Sequence, residues 1–315
     1  MCARAIEPIE NESVGSTVHK PVLVNEVLEY LDPQPGQVYL DVTFGSGGHT
    51  RAILTKEPSC TVIAMDWDMR ALEQFGQALQ EEFGDRIRFI WGNFSLLYKI
   101  LKKEGIKSVD GILADFGTSQ VQIMERAGFS VYRDSPLDMR MSPPHQPVTA
   151  ADVLGSSSEE KLRQIFWQLG DERYAKQIAR AIVEERKKRR IKSTLQLAEI
   201  VAKVVPHDGK HKIHPATKVF QALRIYVNKE LSNIESLLAF SLNIVRPGGR
   251  VVCISFHSLE DRIVKRFFQE QESKGIMSIV TPGAVEANAL EIRENPSARS
   301  AKLRAAQISG EVKKT

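Results

Sequence analysis

Short apolar runs and helical patterns alternate along the chain. Five of the runs have the length of strands: residues 38–42, 61–65, 87–91, 109–114 and 250–256. Between several of them, apolar residues recur at the three- and four-residue spacing of helices. Strands that alternate with helices form a mostly parallel sheet with helices on both faces. The pattern therefore predicts an α/β fold with a Rossmann-like sheet.

The fourth and fifth predicted strands lie more than a hundred residues apart, which is too far for one crossover. Residues 159–168 and 172–190 read as helices, and a further helix begins at Ser193, because Gln196 completes a capping-box pattern. We therefore predict a small helical domain inserted at residues 142–213. Residues 18–141 and 214–315 then form the core, and residues 1–17 a flexible N-terminal arm.

A single long helix is predicted to lead from the insert back to the sheet. Its apolar side is marked by residues at helical spacing: Leu223, Val227, Leu231, Ile234 and Leu238. The sequence Pro-Gly-Gly at 247–249 ends this helix and turns the chain into the fifth strand.

A glycine-rich loop follows the first predicted strand. Residues 41–50 read D-V-T-F-G-S-G-G-H-T, and a helical pattern begins directly after them. Glycines allow a sharp turn close to a ligand, and the helix N-terminus offers free N–H donors. Asp66 ends the second run nineteen residues after Gly47, where a carboxylate can hold the hydroxyls of a ribose. These features predict a nucleoside cofactor, although a plain strand-to-helix turn also uses glycines.

The cofactor that this loop predicts is S-adenosylmethionine. A dinucleotide fingerprint counted from Gly45 needs a third glycine at position 50, which is Thr50. The loop therefore suits a smaller ligand that carries no pyrophosphate. The competing interpretation, a nicotinamide-dependent oxidoreductase, loses support for the same reason.

Polar residues also end the other predicted strands, at the sheet edge where α/β proteins bind ligands. Phe94 could cover an adenine, and Asp115 would lie near the reactive end, where a carboxylate compensates a sulfonium cation. Each has a structural alternative: Asp41 and Asp115 as caps of helices, Phe94 as core, and Ser258 as the start of a helix. Their common location favours a site.

Composition narrows the class of protein. The chain has 315 residues, 42% of them hydrophobic, and no apolar stretch approaches the roughly 20 residues that cross a bilayer. None of the three cysteines lies in a C-x-x-C pair. We therefore expect a protein of the reducing cytoplasm, without a structural zinc site.

The net charge is only +4, but residues 186–190 form a basic run, and more basic residues, among them Lys302 and Arg304, lie near the C-terminus. They predict contact with RNA or, alternatively, a solvated helix end and a frayed tail.

The histidines divide into two groups. His207, His211 and His214 fall within eight residues, but their Lys-rich stretch has no cysteine and no firm helical register, so we predict a basic loop and no metal. His257 ends the fifth predicted strand and is the better functional candidate. It could donate to a base or phosphate, or be a hydrogen-bonded structural histidine.

Eight segments carry a more specific pattern. They read H-K-P-V-L at 19–23, T-F-G-S-G-G-H at 43–49, G-F-S at 128–130, P-L-D-M-R-M at 136–141, H-P-A-T at 214–217, F-Q-A-L-R-I at 220–225, and two longer runs at 255–267 and 295–303. In this order they resemble the bacterial small-subunit ribosomal RNA (cytosine-N4)-methyltransferase H family, over residues 18–308. The chain departs from the family pattern at 115–122, where D-F-G-T-S-Q-V-Q replaces D-L-G-V-S-S-P-Q, and at Ser135 and Ser142, which replace Gly and Asp.

The resemblance implies transfer of a methyl group from S-adenosylmethionine to the exocyclic amine of a cytidine in the decoding centre of 16S rRNA, within the small ribosomal subunit. The implied cofactor contacts are Gly47, Gly48, His49, Asp66, Phe94, Asp115 and Gln122. We expect catalytic roles for Asp115 and His257, and substrate contacts at Asp138, Arg140, Arg224, Asn228, Ser255 and His257. No metal and no membrane are expected, and a homodimer is left open.

A third interpretation is not enzymatic. The chain could be a ribosome-assembly factor that binds rRNA through its basic surface and holds S-adenosylmethionine only as a structural ligand. Transfer of label from the cofactor to RNA separates these interpretations.

Overall fold

The computed structural model describes residues 20–117, 126–206 and 214–310. Its centre is an eight-stranded sheet with the order β3-β2-β1-β4-β5-β8-β6, in which β7 pairs with β8. Strands β1 to β5 are parallel, whereas β8 is antiparallel to β5, β6 and β7. The strands are β1 Val38–Asp41, β2 Thr61–Asp66, β3 Ile87–Trp91, β4 Val109–Asp115, β5 Val245–Ser255, β6 Met277–Ile279, β7 Val285–Glu286 and β8 Lys302–Ile308. The predicted α/β class is confirmed.

Twelve α-helices surround the sheet or form the insert in the described part of the chain. They are α1 Val24–Leu31, α2 Gly48–Lys56, α3 Met69–Phe83, α4 Leu97–Lys103, α5 Ala150–Ser156, α6 Glu159–Gly170, α7 Ala175–Lys188, α8 Thr194–Val204, α9 Thr217–Asn228, α10 Glu230–Ile244, α11 Ser258–Ser273 and α12 Ala289–Glu294. None of the described helices is both long and apolar enough to cross a membrane.

Both faces of the sheet are covered, because side chains alternate between the faces along each strand. Leu40 packs on one face, against a cluster that includes Ile234 of α10 and Phe268 of α11. Its neighbour Tyr39 packs on the other, with α1, α2 and α3. A sheet buried on both faces produces near-continuous apolar runs in the sequence, and these made its strands predictable.

The inserted helices have an apolar core of their own. This core joins the buried side of α5 to α8 with Val219 and Leu223 of α9 and with Leu137 and Met139 of the preceding loop. Three of its helices begin with side-chain caps, and those of α5 and α8 are reciprocal capping boxes, including the predicted Ser193 with Gln196. The boundaries at 142 and 213 stay a prediction, but the helical core extends past both of them.

The prediction of one long helix returning to the sheet is wrong. The chain forms two helices, α9 and α10, and Lys229 between them has a left-handed backbone with φ of 53°. The apolar positions keep their helical spacing through the break, so the sequence pattern does not reveal it. The first helix belongs to the helical core, and the second packs on the sheet.

The C-terminal basic residues are not a frayed tail between 302 and 308. These residues form β8, which pairs with β5 along its length. Arg304 donates to Asp261 at 2.7 Å, and Lys302 lies 3.2 Å from Glu286. Their charges are therefore engaged within the protein.

Leu303→Ala is expected to lower the free energy of unfolding by about 2–5 kcal/mol, because Leu303 is fully buried in β8 and its removal leaves a cavity. The matched change Lys302→Ala removes a side chain that is 43% exposed and should cost less than about 1 kcal/mol. Urea denaturation followed by circular dichroism measures both. A loss for Leu303→Ala as small as that expected for Lys302→Ala would mean that the buried face of β8 adds little to stability.

Candidate functional site

A cavity of about 610 Å³ opens at the carboxyl ends of the parallel strands. This is the edge at which sequence reasoning placed a ligand. The cavity is lined by the loops that follow the five parallel strands, by residues 129–132, and by α9 and α10 of the returning chain. Of the predicted site residues, those that line it are Gly48, His49, Asp66, Phe94, Asp115, Arg224 and His257.

The glycine loop turns sharply between β1 and α2. Gly45 and Gly47 have positive φ angles of 54° and 78°, which favour glycine. A Cβ on Gly47 would lie 2.8 Å from the ring of Phe44, so this glycine is also required for packing. Gly47 does not itself line the cavity, whereas Gly48 does. The two predicted cofactor contacts therefore differ: one shapes the loop, and the other faces the ligand space.

Asp66 is buried at the end of β2 and faces the cavity. Its Oδ2 accepts the N–H of Gly45 at 2.8 Å, and its Oδ1 accepts the N–H of Asp68 at 2.8 Å. Burial raises the pKa of Asp66 to about 7, although these two backbone hydrogen bonds lower it. Each oxygen keeps a lone pair, so the carboxylate can also accept ribose hydroxyls.

Asp41 is a structural residue. It is buried, does not line the cavity, and accepts the hydroxyl hydrogen of Thr50 at 2.7 Å. Burial raises its pKa. Thr50 occupies the position where a dinucleotide fingerprint has its third glycine, and here it fastens α2 to β1.

Asp115 ends β4 beside His49, whose Nε2 lies 3.6 Å from Asp115 Oδ2. Within the described residues, both ring nitrogens of His49 lack a hydrogen-bond partner. Asp115 Oδ1 also lacks one. The Asp115 side chain is 17% exposed, towards the cavity. Buried polar atoms are nearly always paired, so this pair has capacity for a ligand.

An aromatic wall lies next to these carboxylates. Phe94 follows β3 at the start of a short 3₁₀ helix, and its ring centroid is 6.2 Å from that of Phe116. Both rings line the cavity. The cavity thus combines a carboxylate that can accept ribose hydroxyls, a second carboxylate that can lie beside a cation, and apolar rings that can cover a base. These groups fit S-adenosylmethionine. Gln122, the remaining predicted contact, lies outside the described residues.

Four of the predicted substrate residues do not line the cavity: Asp138, Arg140, Asn228 and Ser255. Asp138 and Arg140 form a two-pronged ion pair within their own loop, at 2.7 and 2.9 Å. Asn228 donates to the carbonyls of Met139 and Arg224 and accepts from Met141 N–H and Gln146. The ion pair therefore stiffens the loop, and Asn228 holds the loop against α9.

The other two, Arg224 and His257, meet in a buried charged cluster. Arg224 makes two bonds of 2.9 Å to Glu230, using both carboxylate oxygens. His257 is the N-cap of α11: its Nδ1 accepts the N–H of Glu260 at 3.4 Å, which leaves the proton of a neutral ring on Nε2. That Nε2 lies 3.2 Å from Glu260 Oε1 without hydrogen-bond geometry.

This geometry bears on two predictions. Both nitrogens of His257 are turned towards Glu260, which is the arrangement of the structural alternative, a hydrogen-bonded N-cap; the catalytic and substrate-binding roles of His257 stay predictions. Glu230, His257 and Glu260 also bring ligand atoms within 4.8 Å of one another, as a metal site would. However, Glu230 is engaged by a guanidinium and His257 Nδ1 by the cap, so we propose no metal there. His207 and His211 lie outside the described residues.

The basic run at 186–190 is engaged internally. Arg186 donates to the carbonyls of Leu154 and Ser157 and so caps the end of α5. The rest of the run makes ion pairs with Glu184, Glu185 and Asp152. This arrangement favours the interpretation as a solvated helix end.

Sequence reasoning missed Glu230 and Glu260, which both line the cavity. The spacing H-x-x-E at 257–260 is a capping-box signal that could have identified Glu260. Glu230 had no such signal, because its position depends on the break at Lys229.

Comparison with known proteins identifies the family of this chain. Residues 16–309 match the model of the MraW methylase family. The chain is 44% identical over 305 residues to ribosomal RNA small subunit methyltransferase H of Carboxydothermus hydrogenoformans, covering 92% of this chain and 97% of that protein. It is 45% identical over 308 residues to the protein of the same name from Geobacter sulfurreducens, covering 92% and 98%. TrmN from Thermus thermophilus gives a TM-score of 0.44 at 14% identity, covering 91% of this chain and 48% of that one.

The titration of Asp66 is expected to appear in stability measurements. Its pKa is about 7 in the folded state and about 3.9 in an unfolded chain. The folded state thus holds more protons at this site between pH 4 and 7, and the stability from protonated Asp66 is lost as pH rises through about 7. Asn does not ionise, so the Asp66→Asn variant does not lose this stability. Its free energy of unfolding should therefore rise relative to that of the wild type, by up to about 1.4 kcal/mol per pH unit in this range.

Urea denaturation of both proteins at pH 5, 6, 7 and 8 measures this difference. Asp85→Asn, at an exposed position, is the control. A stability difference between Asp66→Asn and the wild type that stays constant with pH would mean that Asp66 ionises in its ordinary range.

Proposed function

The chain belongs to the MraW methylase family of S-adenosylmethionine-dependent methyltransferases, and from this premise we propose that it methylates the N4 amine of a cytidine in the decoding centre of 16S rRNA. The observation that carries the proposal is the cavity in which Asp66, Asp115 and His49 meet at the carboxyl edge of the sheet. The names of the relatives support small-subunit rRNA as the substrate, and the sequence resemblance supports the cytidine amine. Such a substrate places the enzyme in the cytoplasm.

S-adenosylmethionine supplies an activated methyl group on a sulfonium. Asp66 would hold the ribose through its free lone pairs, and Phe94 would cover the adenine. The partly exposed carboxylate of Asp115 would lie near the sulfonium, where a fixed negative charge orients the cation.

The cytidine amine is a poor nucleophile, because its lone pair is delocalised into the ring. The enzyme must therefore hold the amine in line with the bond that breaks, which is an effect of orientation. Asp115 can accept a hydrogen bond from the amine and so favour its pyramidal geometry. No covalent nucleophile is needed, and burial raises the pKa of Cys60 to about 11 and keeps the pKa of Cys253 high, so neither thiol is reactive.

Recognition of the RNA is proposed to belong to the inserted helical domain. Its core reaches the cavity through Met139 and Phe220, which line it. The enzyme would therefore bind the target base between the sheet edge and this domain, with phosphate contacts elsewhere fixing the register.

The proposal is tested with small ribosomal subunits from a strain that lacks this modification. The purified protein and cofactor labelled on the methyl group are expected to yield labelled N4-methylcytidine in 16S rRNA after digestion to nucleosides. Label in another nucleoside would contradict the proposed atom. RNA binding without any label would favour the assembly-factor interpretation.

Asp115→Asn is expected to lower kcat for this reaction about 10²- to 10³-fold, because a preorganised charge at the reacting centre is lost. The exposed change Asp85→Asn should leave kcat within a factor of about two. The measurement is the steady-state rate of label transfer at saturating subunit and cofactor concentrations. A kcat for Asp115→Asn equal to that of the control would remove Asp115 from the reacting centre.

A further inference from the structure

Arg126 connects the cofactor side of the cavity to the helical domain. Its Nε donates to Asp68 Oδ2 at 3.0 Å, and its Nη2 contacts Asp68 Oδ1, which makes a two-pronged ion pair. The two side chains are only 11% and 6% exposed. A bidentate pair with so little solvent is rigid and is screened weakly by salt.

The Asp68 end of this pair acts directly on Asp66. The backbone N–H of Asp68 donates to Asp66 Oδ1 at 2.8 Å, and the Asp68 side chain also caps α3 by accepting from Arg70 N–H. Asp68 is thus fixed by its own helix and fixes one oxygen of the carboxylate that faces the cofactor space. A movement of Asp68 would change the orientation of Asp66.

The other partner, Arg126, lies next to the loop that leads into the helical core. Met139 N–H donates to the Ala127 carbonyl at 3.2 Å, and the Asp138 carbonyl accepts from Ala150 N–H at the start of α5. The same loop is held to α9 by Asn228, as described above. Arg126 therefore sits on a segment whose position follows that of α5 and α9.

A second bridge ends on the same stretch of chain. Trp91 donates from its indole nitrogen to the Trp67 carbonyl at 2.9 Å. On its other side its ring lies 4.9 Å from that of His145, in the loop before α5, and His145 is held by Ser142 at 2.8 Å. Two separate contacts thus link residues 66–68 to the loop that carries the helical domain.

We infer that Arg126 is a positioning residue that couples cofactor binding at residues 66–68 to the placement of the helical domain, and so to the affinity for RNA. The RNA part of this inference rests on the proposed function. Coupling of this kind is reciprocal: bound cofactor would strengthen RNA binding by the same factor by which bound RNA strengthens cofactor binding.

The first experiment measures this coupling. Affinity for small ribosomal subunits is determined with and without saturating S-adenosylhomocysteine, for the wild type, Arg126→Ala, Arg126→Lys and the control Arg88→Ala, whose side chain is 51% exposed. We expect the wild type and the control to bind subunits at least about 5-fold more tightly with the ligand. The ratio should fall to near one in Arg126→Ala and be partly restored in Arg126→Lys, which keeps the charge but not the two-pronged geometry.

A purely structural role gives a different result. Arg126→Ala would then bind S-adenosylhomocysteine more weakly in calorimetric titration, yet keep the wild-type ratio of subunit affinities. That outcome would overturn the inference, and so would a wild-type ratio of one for subunits that the protein is shown to methylate.

A second readout does not depend on the substrate. Hydrogen exchange of the amides at 137–141 is measured with and without S-adenosylhomocysteine. Protection gained on binding in the wild type and lost in Arg126→Ala supports the coupling even if the small subunit proves not to be the substrate. Equal protection in both proteins overturns the coupling, whatever the substrate is.

Discussion

Strands β4 and β5 are hydrogen-bonded neighbours although more than a hundred residues separate them in the chain, and the arrangement of the whole molecule depends on their pairing. The register places Asp115 opposite Ile254, and Phe116 N–H donates to the Ile254 carbonyl at 2.9 Å. This brings the end of β4 next to Phe256 and the cap of α11. The chain leaves β4 at the carboxyl edge of the sheet, and α10 carries it back to the start of β5 at the opposite edge. The entropic cost of closing so long a loop grows only slowly with its length. The apolar core of the insert offsets this cost.

The sheet and the position of the site were predictable from the sequence because burial on both faces leaves a strong pattern. Each parallel strand is a nearly continuous apolar run, and each run ends in a polar residue where the chain meets solvent. Asp66 and Asp115 were identified on this ground, and the structure places both in one cavity. Strand β8 was not predicted, because Lys302, Arg304 and Gln307 interrupt its apolar pattern. Leu303 and Ile308 are nevertheless buried.

What a polar side chain binds could not be predicted from the sequence. Asp138, Arg140 and Asn228 have residue types suited to RNA contact, but their hydrogen bonds are satisfied within the protein. The outcome depends on distances between segments that are remote in the chain, such as Met139 and Asn228. The break at Lys229 was hidden for a related reason, since a lysine carries no signal for a left-handed backbone. That break turns Glu230 towards Arg224 and so creates the charged cluster in the cavity.

The place of β8 in the chain has a consequence for synthesis. This strand lies between β5 and β6 in the sheet but follows both in the sequence. While a nascent chain lacks residues 302–308, one edge of β5 exposes unpaired backbone groups on an apolar stretch around Cys253, the type of edge at which chains aggregate. The helical insert can meanwhile collapse on its own core, so translation would present a folded module attached to an unfinished sheet. The edge of β5 is therefore covered only once the last strand of the chain has been made.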